Sequence, residues 1–176
     1  MIAQVKRILT ALTRAWRIHQ DPVAYARSIG VQVGERCRLL ELQPNTFGSE
    51  PWMVKLGDHV EITSGVRFIT HDGGMWVFRE KYPDIDILAP ISVGNNVFIG
   101  INAILLPGVT IGDNCVIAAG AVVSRDIPSG MVAAGVPARP IKTIDAYWED
   151  CQERAFNIHQ RSPKEKREII TRHYNL

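Results

Sequence analysis

Cut into sixes, residues 93–128 read VGNNVF-IGINAI-LLPGVT-IGDNCV-IAAGAV-VSRDIP. The first place of each six holds Val93, Ile99, Leu105, Ile111, Ile117 and Val123. Four places on from each come Val97, Ala103, Val109, Cys115, Ala121 and Ile127, all small or branched. Gly94, Gly100 and Gly112 follow three of the first-place residues, and the same phase fits Leu56-Gly57 and Ile62, with Val60 and Val66 four places on. A period of six belongs neither to a helix (3.6) nor to a flat sheet (2.0). It marks a hexapeptide β-helix, in which each six residues make one short strand and a turn. Three steps close a triangular coil of about eighteen residues. Val93 to Thr110 is expected to form one coil and Ile111 to Pro128 the next. The aliphatic first place should point into the prism and the residue four places on should sit near a corner. Glycine and asparagine suit the turns because both tolerate positive φ, and Asn95-Asn96, Asn102, Pro107-Gly108 and Asp113-Asn114 supply them.

The whole chain has 176 residues, 46% hydrophobic and 22% charged, with a net charge of +2. That is enough chain for one domain with a real core, and too little charge to argue for a nucleic-acid partner. No stretch is apolar enough to span a bilayer, and the first residues lack the pattern of a secretion signal. Three cysteines cannot form a closed set of bridges. Cys37 and Cys115 fall at repeat positions as small core residues, and Cys151 falls in a helical segment. The expectation is a cytoplasmic protein with reduced thiols.

Residues 1–28 read as helical. Ile2, Val5, Leu9, Leu12 and Trp16 make an apolar stripe, with Lys6, Arg7, Arg14 and Arg17 mostly off it. Such a stripe packs on the base of the prism or on a neighbouring subunit; membrane contact by this basic helix is the less favoured reading. Asp21-Pro22 reads as the cap and first position of a second short helix. The β-helix domain is expected over 29–142. Its period is poor between Leu39 and Pro51, where the coil should bulge, and clean from Leu56 to Phe68. It stops at Thr70-His71-Asp72-Gly73-Gly74 and resumes at Ile91 or Val93, leaving an excursion over 72–90. Long loops on a rigid scaffold are where function concentrates. Residues 143–176 read as helices, one expected to close the end of the prism and one opened by the capping box Ser162-Pro163-Lys164-Glu165.

From Leu56 to Lys142 the chain resembles the hexapeptide-repeat acetyltransferases of the maltose, galactoside and nodulation-factor type. It is similar also to O-acetyltransferases of surface-polysaccharide gene clusters. The matching features are a strand ending in His71, a loop through Pro90, the stretch VGNNVFIG from Val93 to Gly100, and AGVPAR from Ala134 to Arg139. The resemblance implies an all-β architecture, a left-handed parallel β-helix flanked by N- and C-terminal α-helices. It also implies a homotrimer with sites in the clefts between subunits, and acetyl-CoA as acyl donor with no metal. It maps the general base onto His71. It maps acetyl-CoA contacts onto Phe98, Ile101, Ala119, Ser124, Arg125, Arg139 and Lys142. Two of these depart from the family pattern: many relatives carry a small polar residue at the place of Ile101 and tryptophan at the place of Phe98.

The residues fit that chemistry. A hydroxyl attacking a thioester must lose its proton as the bond forms, and a neutral imidazole takes it at cellular pH. A lone histidine is ordinarily a solvated surface group, but His71 stands where the repeat breaks, which favours function. Asp72 follows it and points the other way along a strand, so it reads as a loop-shaping or acceptor-binding residue. Trp76, Arg79, Tyr82, Asp84 and Asp86 on the excursion suit a polyhydroxylated ring. Arg139 and Lys142 suit CoA phosphates. His59 reads as a structural turn residue, and His19, His159 and His173 carry no signal. The expected activity is transfer of acetyl to a hydroxyl of a sugar or polysaccharide precursor. Transfer to an amino group of a nucleotide sugar is the alternative. A zinc hydratase of the γ-carbonic-anhydrase kind needs three histidines at the coils, and only His59 and His71 lie there.

Overall fold

The computed structural model describes residues 2–176, without the side chains of Ile2, Ala3, Val5 and Ile8. After α1 (Ile2–Gln20) and α2 (Pro22–Ser28) come β1 (Gln32–Val33) and β2 (Arg38–Leu39). Then follow β3 (Val54–Leu56), β4 (Val60–Ile62) and β5 (Arg67–Phe68), and β6 (Ile91–Val93), β7 (Val97–Ile99) and β8 (Ile104–Leu105). The next circuit is β9 (Thr110–Ile111), β10 (Cys115–Ile117) and β11 (Val122–Val123). These strands fall in rotation into three parallel sheets, the first β1-β3-β6-β9, the second beginning β2-β4-β7-β10 and the third β5-β8-β11. From β3 onward each circuit therefore adds one strand to each sheet, the coil that a period of six predicts. All six first-place residues of the quoted stretch are buried, and so are all six residues four places on. With Leu56, Ile62 and Phe68 they form one continuous apolar column.

The recurring glycines have a different cause from the expected one. Positive φ falls on His59, Asn96, Asn102 and Asn114 and on Gly65, Gly108 and Gly120. Gly57, Gly94, Gly100 and Gly112 are needed because neighbouring coils touch there. A Cβ on Gly57 would lie 2.6 Å from the Gly94 carbonyl oxygen, and one on Gly100 would lie 2.6 Å from the Ala119 nitrogen. The residue after these glycines often uses the close approach. Asp58 N–H donates to Asn95 Oδ1 (2.8 Å), Asn95 N–H to Asp113 Oδ1 (2.6 Å), and Asp113 N–H to Ser129 Oγ (2.9 Å). Beside this ladder runs a second, His59 Nδ1 to Asn96 Oδ1 (2.8 Å) and Asn96 Nδ2 to Asn114 Oδ1 (2.8 Å). The turns are thus satisfied coil to coil, and His59 is the structural residue expected.

Pairing register measures every departure from the period. Val97 pairs with Cys115, 18 positions on. Val60 pairs with Val97, 37 positions on, so the excursion inserts 19 residues. Arg38 pairs with Glu61, 23 positions on, so the bulge after Leu39 inserts five. Ile111 bridges Ile127, only 16 positions on, so the last coil loses two. That loss corrects the reading of Ile127: it sits beside the first-place residue Ile111, and Ala133 lies next to Ile117, again 16 positions on. All three departures lie on the part of the circuit that passes the third sheet and returns to the first. The coil ends in β12 (Met131–Gly135), parallel to β10, and β13 (Ala138–Thr143), which folds back antiparallel as the outermost strand of the second sheet.

Asp21 caps α2 through Ala24 N–H (2.8 Å), with Pro22 at the first position, as predicted. On α1, Leu9, Leu12 and Trp16 are 56%, 61% and 64% exposed. The apolar stripe therefore does not pack on the prism of its own chain, contrary to one expectation, whereas Ile18 on another face packs against the core. The side chains of Ile2 and Val5 lie outside those described. The chain divides into two compact units, one ending at Asp145 and one over Ala146–Leu176. No residue of α3 (Ile144–Gln152) is buried. In the second unit α4 (Pro163–Tyr174) carries the predicted capping box: Glu165 N–H donates to Ser162 Oγ, and Ser162 N–H donates to Glu165 Oε2 (2.9 Å). Among the described residues no helix is long and apolar enough to cross a membrane.

Candidate active site

His71 stands three residues after the inward Phe68 of β5, at the neck of the 19-residue excursion. The neck is pinned from both sides. Ala89 N–H donates to the Thr70 carbonyl (2.9 Å), Asp72 N–H donates to the Ile87 carbonyl (2.9 Å), and His71 bridges Leu88 antiparallel. The imidazole remains 39% exposed, and its Nδ1 lies 3.2 Å from Glu50 Oε2. Glu50 is the last residue of the irregular stretch that follows β2. Phe47 and Thr46 anchor that stretch in the core: the Phe47 ring stacks 5.2 Å from Phe68, and Phe68 N–H donates to the Thr46 carbonyl (2.7 Å). Two breaks in the period thus meet as one pair of side chains.

The buried Thr70 hydroxyl donates to the same Glu50 oxygen at 2.6 Å. That bond, then those from His71 and Ser49, hold the Glu50 carboxyl below its ordinary value against the opposing effect of burial. Glu50 is therefore an anion at neutral pH and can only accept. A neutral His71 donates Nδ1–H to it, which leaves Nε2 with the free lone pair. Sequence reading missed Glu50. No pattern singles it out: it lies in the stretch without a period, and only the pairing register shows the five surplus residues that bring it to the neighbouring turn.

Asp72 shapes the loop: its carboxylate accepts Gly74 N–H (2.8 Å) and caps the 3-10 turn Gly73–Phe78. Arg79 ties the loop across its width, with Nη2 3.2 Å from Asp86 Oδ2 and Nε 3.4 Å from the Ile85 carbonyl. Trp76 is 73% exposed and Tyr82 half exposed, with Lys81 Nζ 5.2 Å from the Tyr82 ring centre.

The residues matched to CoA divide into two groups. Ser124 and Arg125 follow β11 and share the corner of His71, because Phe68, Leu105 and Val123 are in register. Phe98 is the outward residue of β7, and Ile101 and Ala119 stand at the corner that follows the second sheet; Gly120 N–H donates to the Ile101 carbonyl (2.8 Å). Phe98 lines a cavity of about 280 Å³ with His59, Glu61, Asn96 and Val116. Arg139 and Lys142 lie on β13 of that same second sheet, and Arg139 Nη1 donates to the Ala138 carbonyl (2.8 Å). One group therefore stands on the second sheet and the corner after it, and the other at the corner that follows the third sheet. Among the described residues no three His, Cys, Asp or Glu side chains come together, and His59 Nδ1 is engaged by Asn96.

Residues 90–125 match the family model described as bacterial transferase hexapeptide (six repeats). Over 141 residues the chain is 53% identical to protein CapG of Staphylococcus aureus, covering 80% of this chain and 82% of CapG. The chain belongs to the hexapeptide-repeat acetyltransferases. It is also 43% identical over 127 residues to the galactoside O-acetyltransferase of Escherichia coli, covering 72% of this chain and 60% of that enzyme. Two structures of the family superpose with a TM-score of 0.57. One is a galactoside acetyltransferase in complex with coenzyme A, 27% identical, with 86% of this chain and 85% of that one aligned. The other is a Vibrio cholerae acetyltransferase complexed with acetyl coenzyme A, 25% identical, with 76% and 84% aligned.

Proposed function

We propose that this chain moves the acetyl group of acetyl-CoA directly to a hydroxyl of a sugar or polysaccharide precursor, with His71 as general base and Glu50 as the residue that positions it. The acyltransferase class rests on family membership. The observation that carries the role of His71 is its Nδ1 contact with the ionised Glu50 at the neck of the loop. In this reading Nε2 takes the hydroxyl proton as the acceptor oxygen bonds to the thioester carbon. The tetrahedral oxyanion is met by a backbone N–H of a coil turn. Its collapse breaks the carbon–sulfur bond, and the imidazolium returns the proton to the departing thiolate. No covalent enzyme intermediate is needed, because holding both substrates together supplies much of the rate.

Phe98, Ile101, Ala119, Arg139 and Lys142 on one edge, and Ser124 and Arg125 on the other, suit a CoA lying between two copies of a left-handed coil. In a homotrimer each cleft takes one edge from each neighbour. Trp76 and Tyr82 offer aromatic faces to the apolar side of a sugar, while Arg79 and Asp72 hold the loop that presents them. The free thiols of Cys37, Cys115 and Cys151 accord with a reaction in the cytoplasm.

The test is release of CoA thiol from acetyl-CoA against a panel of sugars, nucleotide sugars and glycan fragments. A sugar hydroxyl should stimulate release. His71→Ala should lower kcat by on the order of 10² to 10⁴-fold with CoA binding retained. Near-normal turnover in that variant refutes the assignment.

A further inference from the structure

The helix α1 is turned inside out relative to an ordinary amphipathic helix. Leu9, Leu12 and Trp16 face solvent. Thr10, Thr13, Arg14 and Arg17 instead line a groove whose other wall is Pro44, Gly48, Ser49 and Pro51. Surface helices bury their apolar stripe, whereas the residues α1 sets along this groove are polar and cationic, with Arg14 and Arg17 still exposed to an incoming ligand. The helix carries Lys6, Arg7, Arg14 and Arg17 with no acidic residue, on a chain whose net charge is only +2. Among the described residues that line the groove none is acidic. Arg17 Nη2 bonds the neutral Ser28 Oγ at 2.7 Å and its guanidinium lies 5.7 Å from the Tyr25 ring centre. Among the described residues Arg14 makes no hydrogen bond or ion pair. Glu50, between Ser49 and Pro51 of the wall, is engaged by Thr70 and His71. The groove, about 380 Å³, is walled by Ser49 and Pro51, the chain neighbours of the residue that contacts the proposed base.

We propose that this groove binds the phosphate of a phosphorylated acceptor, a sugar phosphate or a sugar diphosphate ester, through Arg14 and Arg17. The proposal rests on the reading of His71 as base and adds the class of acceptor. Guanidinium forks match phosphate oxygens in pairs and are weakly hydrated, so they bind phosphate where water is partly displaced. A phosphate held here leaves a sugar ring to reach past the Glu50 side chain toward His71.

The phosphates of CoA are the other source of the same chemistry, and the test separates the two. Inorganic pyrophosphate is titrated by calorimetry into the full-length protein already saturated with coenzyme A. Binding should persist under saturation, weaken with added salt, and fall by roughly tenfold or more in Arg14→Gln, the scale of one lost charged hydrogen bond. Arg14→Lys should recover part of it, and Arg7→Gln, on the same helix but off the groove, should bind as the parent does. In the thiol-release assay Arg14→Gln should raise KM for a hexose 1-phosphate while KM for acetyl-CoA holds. Pyrophosphate displaced by coenzyme A, or bound equally by Arg14→Gln, overturns the proposal. If no acceptor stimulates thiol release yet pyrophosphate still binds through Arg14, the groove stands and the acetyl-transfer reading falls.

Discussion

The Glu50 carboxylate favours the Nδ1–H tautomer of a neutral His71, which in the proposed reaction leaves Nε2 as the basic nitrogen. Glu50→Gln keeps the shape of the contact but loses the charge that favours the Nδ1–H tautomer, so kcat should fall by on the order of 10²-fold or more with KM for acetyl-CoA little changed. Steady-state kinetics check this. Hydrogen bonds from Thr70 and His71 hold this carboxyl below its ordinary value of 4.5. A carboxyl depressed in the folded state adds stability above the unfolded value and loses it as pH falls through the folded one. The gap in Tm between the parent and Glu50→Gln should therefore be full at neutral pH and shrink below pH 4.5; a gap that widens in acid contradicts the pairing. Glycine gives a second test at this scale. Gly100→Ala drives a Cβ to 2.6 Å from the Ala119 backbone nitrogen, whereas a Cβ on Gly73 meets nothing within 4 Å. Urea unfolding should show a loss of about 1–3 kcal/mol for the first and near neutrality for the second.

At the scale of elements, the excursion and the bulge are the two parts that a strict repeat does not need. The pinned neck at Thr70–Ala89 and Asp72–Ile87 lets the loop be removed without disturbing the register of β5 and β6. Shortening it between Gly74 and Ile87 should abolish transfer to the acceptor while slow hydrolysis of acetyl-CoA survives in the thiol-release assay. A shortened protein that keeps its acceptor but loses CoA affinity makes the loop a cofactor lid instead. The contrast between loop and coil also explains what could be read from sequence. The column from Val93 to Val123 was legible because one geometry repeats, and burial of one residue type every six steps leaves a mark no local accident imitates. The place of His71 was legible as the point where that mark stops. Glu50 was not, because residues 40–50 follow no period, and their path depends on Phe47 finding Phe68. The inverted face of α1 was likewise hidden: the stripe is visible in sequence, but which side meets the body is decided by tertiary contact.

For the whole molecule, the proposed CoA residues fall in two groups apart on one copy of the chain, so the proposed reading requires neighbouring copies to complete each site. Light scattering should return about three times the 19.6 kDa subunit mass, and dilution that dissociates the assembly should abolish turnover. A monomer that still turns over refutes shared sites. A stacked coil of parallel strands also poses a problem unrelated to catalysis, since its last rung is a template on which another chain can add. On the second sheet the last rung is β13, which runs antiparallel to β12 and carries Pro140 opposite Ala133. Proline brings no N–H to an edge, and Arg139 and Lys142 flank it with charge. The same hairpin that sets two basic residues on the second sheet therefore gives the prism a finite length, and removes one route by which such a coil would grow into a fibre.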